Sequence, residues 1–140
     1  MNHIVTTIAN GKILYMATIG DTLTLEEWKD IGIEMADILH NSPNKMHVIV
    51  DMTDLEHHPR NAAKLIPLTR WATESNMQSL NHVTTDRFVK ILGDVVITML
   101  ATHYESANTL DEALEYLLEN DDELTVSFDA LKDEIMQHRN

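Results

Sequence analysis

There is no cysteine in this 140-residue chain, so disulfides, thiolate metal sites and cysteine catalysis are all excluded. Basic residues are scarce. Ten Lys and Arg stand against 23 Asp and Glu, for a net charge of −13. A chain this acidic repels phosphate backbones at long range, which argues against nucleic-acid binding. The imbalance is uneven: residues 60–104 hold 5 bases and 3 acids, whereas residues 105–140 hold 2 bases and 11 acids. That acidic last third reads as a solvated helical surface, with a docking surface for a basic partner as the rival reading. No apolar run approaches the length of a membrane span, so membrane insertion is not expected. Met1–Lys12 lacks the charged start and apolar centre of a signal peptide. A cytoplasmic protein is the simplest reading. Glycine is sparse, and the four present, at 11, 20, 32 and 93, are too scattered to form a phosphate-binding loop.

What is present is a succession of short apolar runs and amphipathic segments. At 44% hydrophobic residues the chain can bury a real core. One domain over residues 1–140 is expected, with 121–140 as a C-terminal helical extension. Ile4–Ala9 and Ile13–Ile19 flank Asn10-Gly11, the strongest short signal for a hairpin. Thr24-Leu25-Glu26-Glu27 is a capping box. The helix behind it places Trp28, Ile31, Met35, Ile38 and Leu39 on one face and stops at Ser42-Pro43. Residues 46–52 contain Val48-Ile49-Val50, a β-branched run that suits a strand buried on both faces. A second helix is expected from Arg60 or Asn61, turning Ala62, Leu65, Ile66 and Trp71 inward, with a kink or a late start at Pro67. Leu80–Thr84 reads as a short strand. Asp86 then caps a third helix, in which Phe88, Ile91, Leu92, Val95, Val96, Met99 and Leu100 recur at helical spacing. His103–Asn108 reads as a strand. Thr109-Leu110-Asp111-Glu112 is a second capping box, and its helix buries Ala113, Leu114, Leu117 and Leu118 before ending near Asn120. Phe128, Leu131 and Ile135 mark a last short helix. This alternation predicts an α/β fold: a mixed β-sheet, hairpin plus parallel strands, covered by helices.

Three segments, taken with that order of elements, resemble the SpoIIAA-like branch of the STAS superfamily. They are Gly20–Trp28 at the entry to the first helix, Val48–Thr53 at the end of the central strand, and Thr109–Leu117 in the closing helix. The resemblance spans about residues 4–120. It implies a sheet-and-helix domain acting as a non-catalytic regulatory or protein-interaction module, and some related folds hold apolar ligands. STAS proteins that antagonise anti-sigma factors carry a phosphorylated Ser, sometimes Thr, just after the central strand. Here that segment, Asp54–Asn61, contains neither. The resemblance therefore carries the fold and not the phospho-switch.

Open α/β sheets place their binding crevices at the C-terminal ends of strands. That makes Asp51, Thr53, Asp54, His57, His58, Arg60 and Lys64 the candidate ligand-binding residues. Carboxylates and imidazoles also bind metals, but the adjacent His57 and His58 cannot easily share one ion and no HExxH spacing is present. No metal and no cofactor are expected. A His–Asp pair could move protons, yet no nucleophile or oxyanion motif stands beside it, so no catalytic residue is assigned. Arg60 and Lys64 would reinforce an anion site at the start of the second helix. The third helix has an apolar face too wide for one stripe, and Val89, Ile97 and Met99 are its candidate interface residues for a protein partner or a second copy in a homodimer. Two functional readings follow. One is the interaction or regulatory module, which an exposed apolar patch on the third helix would favour. The other is a carrier of a small apolar or anionic ligand at the C-terminal edge of the central strand. A cavity lined by Met, Trp and aliphatic side chains would favour the carrier.

Overall fold

A computed structural model describes residues 3–74, 76–97 and 103–139. Strands β1 (His3–Ile8) and β2 (Ile13–Thr18) form the expected antiparallel hairpin. Its loop is four residues long, because Ile8 pairs with Ile13. Ala9, Asn10 and Gly11 all take positive φ there, so the Asn-Gly signal marks the bend but not its length.

Helix α1 (Leu25–Asn41) begins at Thr24 with both hydrogen bonds of the capping box in place. It buries Trp28, Ile31, Met35 and Leu39 and ends at Ser42. Strand β3 (Met46–Asp51) is buried at every position. A 3-10 segment, Ile66–Thr73, follows the single-turn α2 (Ala62–Leu65). Proline at the head of that segment cannot continue the α-helical hydrogen bonding, so the long second helix resolves into two short pieces. Leu65 is buried as expected, whereas Ala62 is exposed.

Strand β4 (Met77–Val83) starts three residues earlier than the sequence pattern suggests. After it come α3 (Arg87–Ile97), β5 (His103–Ala107), α4 (Leu110–Asn120) and α5 (Phe128–Arg139). The sheet order is β1-β2-β3-β4-β5, antiparallel in the hairpin and parallel in every later pair. Each parallel pair needs a crossover, and the helices supply it.

Alternation along the strands makes two cores. Leu14, Met16, Val48, Val50 and Leu80 face α1, the 3-10 segment and α3. Ile13, Tyr15, Ala17, Ile49 and Val83 face α4 and α5. Leu131 and Ile135 of α5 are fully buried, so residues 121–140 contribute to the second core.

Helix α3 sits differently from its sequence pattern. Val89, Leu92 and Val96 are buried, while Ile91 and Val95 are exposed. The interface role expected for Val89 is therefore corrected: its side chain belongs to the chain's own core. Gly93 accounts for the rotation. A Cβ there would collide with the Tyr104 hydroxyl and crowd His82 Nδ1, so the glycine face lies against the sheet and carries residues 89, 92 and 96 inward. The side chain of Ile97, and Met99 and Leu100 entirely, lie outside the described residues.

Candidate functional site

The C-terminal edge of β3 does gather polar groups, though not as one site. Asp51 ends the strand with its side chain on the α4–α5 face. Its buried carboxylate accepts hydrogen bonds from the Tyr15 hydroxyl at 2.7 Å and from the Thr53 backbone N–H at 3.1 Å and hydroxyl. Arg139, from the last turn of α5, completes the cluster. Its guanidinium donates to the Tyr15 oxygen at 2.9 Å, to Asp51 at 3.4 Å and to Asp54 at 3.0 Å. Burial, reinforced by the Asp51 charge, pushes the Tyr15 phenol well above its ordinary pKa. Arg139 escaped the sequence reading because it lies 88 residues from Asp51. Only its isolation as a base in an acidic segment marks it.

His58 and Arg60 go elsewhere. His58 Nδ1 donates to Pro59 O (2.9 Å) and its Nε2 meets Asp86 at 3.1 Å, while Arg60 stands 3.6 Å from the same carboxylate. Phe88 stacks on the His58 ring, and the Arg60 guanidinium lies over Phe88. Burial pushes the Asp86 carboxyl upward, but hydrogen bonds from His58 and the Val89 amide, with the nearby cationic groups, hold it below its ordinary value. Asp86 accepts from the Val89 N–H at 3.0 Å, so this cluster caps α3. Lys64 is exposed on the single turn of α2. The anion site expected from Arg60 and Lys64 is not assembled: one base is engaged by Asp86, and a four-residue helix has little dipole to add. His57 is exposed beside Asp21 and Glu56.

A third cluster was not expected. His47, on β3, lies 2.6 Å through Nε2 from Asp121 and meets the Ser79 hydroxyl through Nδ1. The His47 hydrogen bond holds the Asp121 carboxyl below its ordinary value. A serine–histidine–carboxylate line has the parts of a nucleophile relay. However, Ser79 is only 4% exposed within the sheet, and its oxygen also accepts from the Asn81 amide at 2.9 Å. With no room for a substrate at its oxygen, this line ties the C-terminus of α4 to the sheet.

The opposite face of the sheet holds a cavity of about 60 Å³ beneath the same C-terminal edge. Met16, Met35, Met52, Trp28 and Val50 line it, with His82 and Tyr104 as its main polar members. No charged side chain lines it among the described residues. Burial lowers the His82 pKa to about 4, so its ring is neutral at ordinary pH. Its Nδ1 is 3.5 Å from the Tyr104 hydroxyl, and its Nε2 is buried with no partner among the described residues. The Tyr104 phenol is pushed up to about 12, first by burial and then by the Asp94 charge. The candidate list from sequence contains none of these residues. The signal that could have found them is the chain's eight methionines, three of which line the cavity.

A solved structure settles what this architecture is. The chain is similar to an uncharacterised protein of the DUF3478 family from Shewanella loihica PV-4, described as having a SpoIIAA-like fold. The two are 13% identical, with a TM-score of 0.57, over 82% of this chain and 91% of the other. The fold is SpoIIAA-like. At that identity the SpoIIAA-like fold is shared and nothing more is transferred. No family model matches the sequence. No curated protein matches it either. Among the described residues, no helix of this SpoIIAA-like chain is long and apolar enough to cross a membrane.

Proposed function

We propose that this SpoIIAA-like domain is a non-catalytic binding module that holds a small apolar ligand in the cavity between the sheet and helices α1 and α3. The cavity is the observation that carries this reading. It combines apolar walls, a few convergent polar groups and a position beneath the C-terminal strand edge. Three methionines in its wall can repack around guests of different shape. The site differs from the one expected at Asp51 and its neighbours, because those side chains are on the opposite face or are engaged by Arg139 and Asp86. Native mass spectrometry of gently desalted protein tests the reading. We expect a small-molecule adduct that is lost on denaturation and absent from Val96→Phe, whose larger side chain fills the cavity. Wild type and variant at bare mass, with no small apolar compound raising the melting temperature of either, would refute it.

The interaction reading keeps one supporting observation. Ile91 is 53% and Val95 43% exposed, four residues apart on α3. Two exposed branched side chains on one helical face suit contact with a second copy of the chain.

A further inference from the structure

We infer that the cavity's ligand is a small, neutral, mainly apolar molecule with one oxygen acceptor, and that His82 Nε2–H binds that oxygen. This rests on the cavity being a ligand site and specifies the chemistry it selects.

Neutrality follows from the walls. No charged side chain lines the cavity among the described residues, and an ion moved there from water would lose its hydration without a countercharge. The burial of His82 keeps its own ring uncharged. An anionic ligand is therefore disfavoured, and a purely hydrocarbon ligand would leave Nε2 unsatisfied.

The choice of an acceptor follows from the chain of hydrogen bonds behind the ring. A neutral imidazole has one N–H and one bare nitrogen. The Tyr104 phenol keeps its proton, because burial opposes its ionisation. The phenol's own proton is then free to point to His82 Nδ1, 3.5 Å away. Gly93 permits this approach, since a Cβ at that position would collide with the Tyr104 hydroxyl. With Nδ1 accepting, the ring proton resides on Nε2, the atom that is buried without a partner. A lone water is a poor substitute. A cavity of about 60 Å³ exceeds the ~10–15 Å³ one water requires, and a buried water needs two to four polar partners, whereas the hydroxyls of the lining are already engaged, Thr69 with Ile66 O and Tyr104 with His82 Nδ1.

The experiment uses three probes: cyclopentanone, its apolar analogue of nearly equal shape, methylenecyclopentane, and the somewhat larger anion cyclopentanecarboxylate. Each is titrated into the full chain carrying ¹³C-methyl methionine and ¹⁵N histidine. We expect the ketone to shift the Met16, Met35 and Met52 methyls and the His82 Nε2 resonance. It should bind about two- to tenfold more tightly than the apolar analogue, the range one neutral hydrogen bond provides. That preference should vanish in His82→Leu and weaken in Tyr104→Phe. The carboxylate should not bind. Equal binding of ketone and analogue, or a His82 ring whose proton is on Nδ1, would overturn the inference while leaving the cavity as a ligand site. Carboxylate binding as tight as the ketone would overturn neutrality. Failure of all three probes to move the methionine methyls would overturn the cavity reading and this inference with it. The ¹⁵N shifts of wild-type His82 decide the tautomer even if His82→Leu does not fold.

Discussion

His82 couples the cavity to pH. In the unfolded chain a histidine titrates near 6.5, whereas in the folded chain His82 takes its proton only at about 4. Between those values the unfolded state carries the extra proton, so acidification favours it. The contribution is fully present above pH 6.5, is lost as pH falls from 6.5 to 4, and is flat below. From pH 7 to pH 5 that is a loss of about 2 kcal/mol. Asp86 and Asp121, both held below their ordinary values, add losses only at lower pH. Urea melts of wild type and His82→Leu at pH 7, 6 and 5 measure the effect. The variant should be flatter by about that amount, and equal slopes would show that His82 is not the group responsible. On the other face, Arg139→Ala should cost about 1–3 kcal/mol, because the buried Asp51 carboxylate keeps Tyr15 and Thr53 but loses its cation. Arg139→Lys should recover only part of that loss, since an ammonium cannot span the Tyr15 oxygen, Asp51 and Asp54 in one plane. Full stability in Arg139→Ala urea melts would reduce the network to a surface contact.

Elements differ in how clearly the sequence announced them, and the reasons are local. The capping boxes at Thr24 and Thr109 are short-range chemistry, and both helices begin there. Three successive β-branched residues mark β3, which has a neighbour on each side in the sheet. Ile49→Ala should accordingly destabilise the fold by about 2–5 kcal/mol, as removal of a fully packed side chain does. A urea-melt loss under about 1 kcal/mol would contradict so tight a packing. The second helix was the least legible element, because Pro67 leaves the chain a choice among kink, late start and 3-10 geometry that only tertiary packing decides. Helix α3 was misread in rotation alone. With apolar residues at 88, 89, 91, 92, 95 and 96, two stripes fit a helical period. Contact of Gly93 with Tyr104 chooses between them, and that contact spans the crossover to β5. The candidate site was legible as a region but not as a set of residues. At the C-terminal strand edge Asp51 and Thr53 are hydrogen-bonded, and Arg139 joins Asp54 to them. Which face holds the cavity depends on β2 and β4 pairing with β3 and on β5 pairing with β4, a long-range property.

At the scale of the whole molecule, charge and apolar surface oppose each other. A net charge of −13 repels a second copy, while Ile91 and Val95 present apolar surface on α3. Burying two branched side chains gains a few kcal/mol at most, so the balance depends on how strongly the repulsion is screened. At 0.01 M salt charges interact over about 30 Å, and at 1 M over about 3 Å. Any dimer through α3 should therefore tighten as salt rises, the reverse of an interface held by opposite charges. Sedimentation across that salt range gives the dissociation constant. Ile91→Glu is the decisive variant, because Ile91 is exposed in the monomer and its replacement leaves both cores intact. We expect wild type to shift toward dimer at high salt and Ile91→Glu to remain monomeric with an unchanged melting temperature. A wild type that stays monomeric at every salt concentration would remove α3 as a self-association surface. A dimer that persists in Ile91→Glu would place the interface elsewhere on the chain.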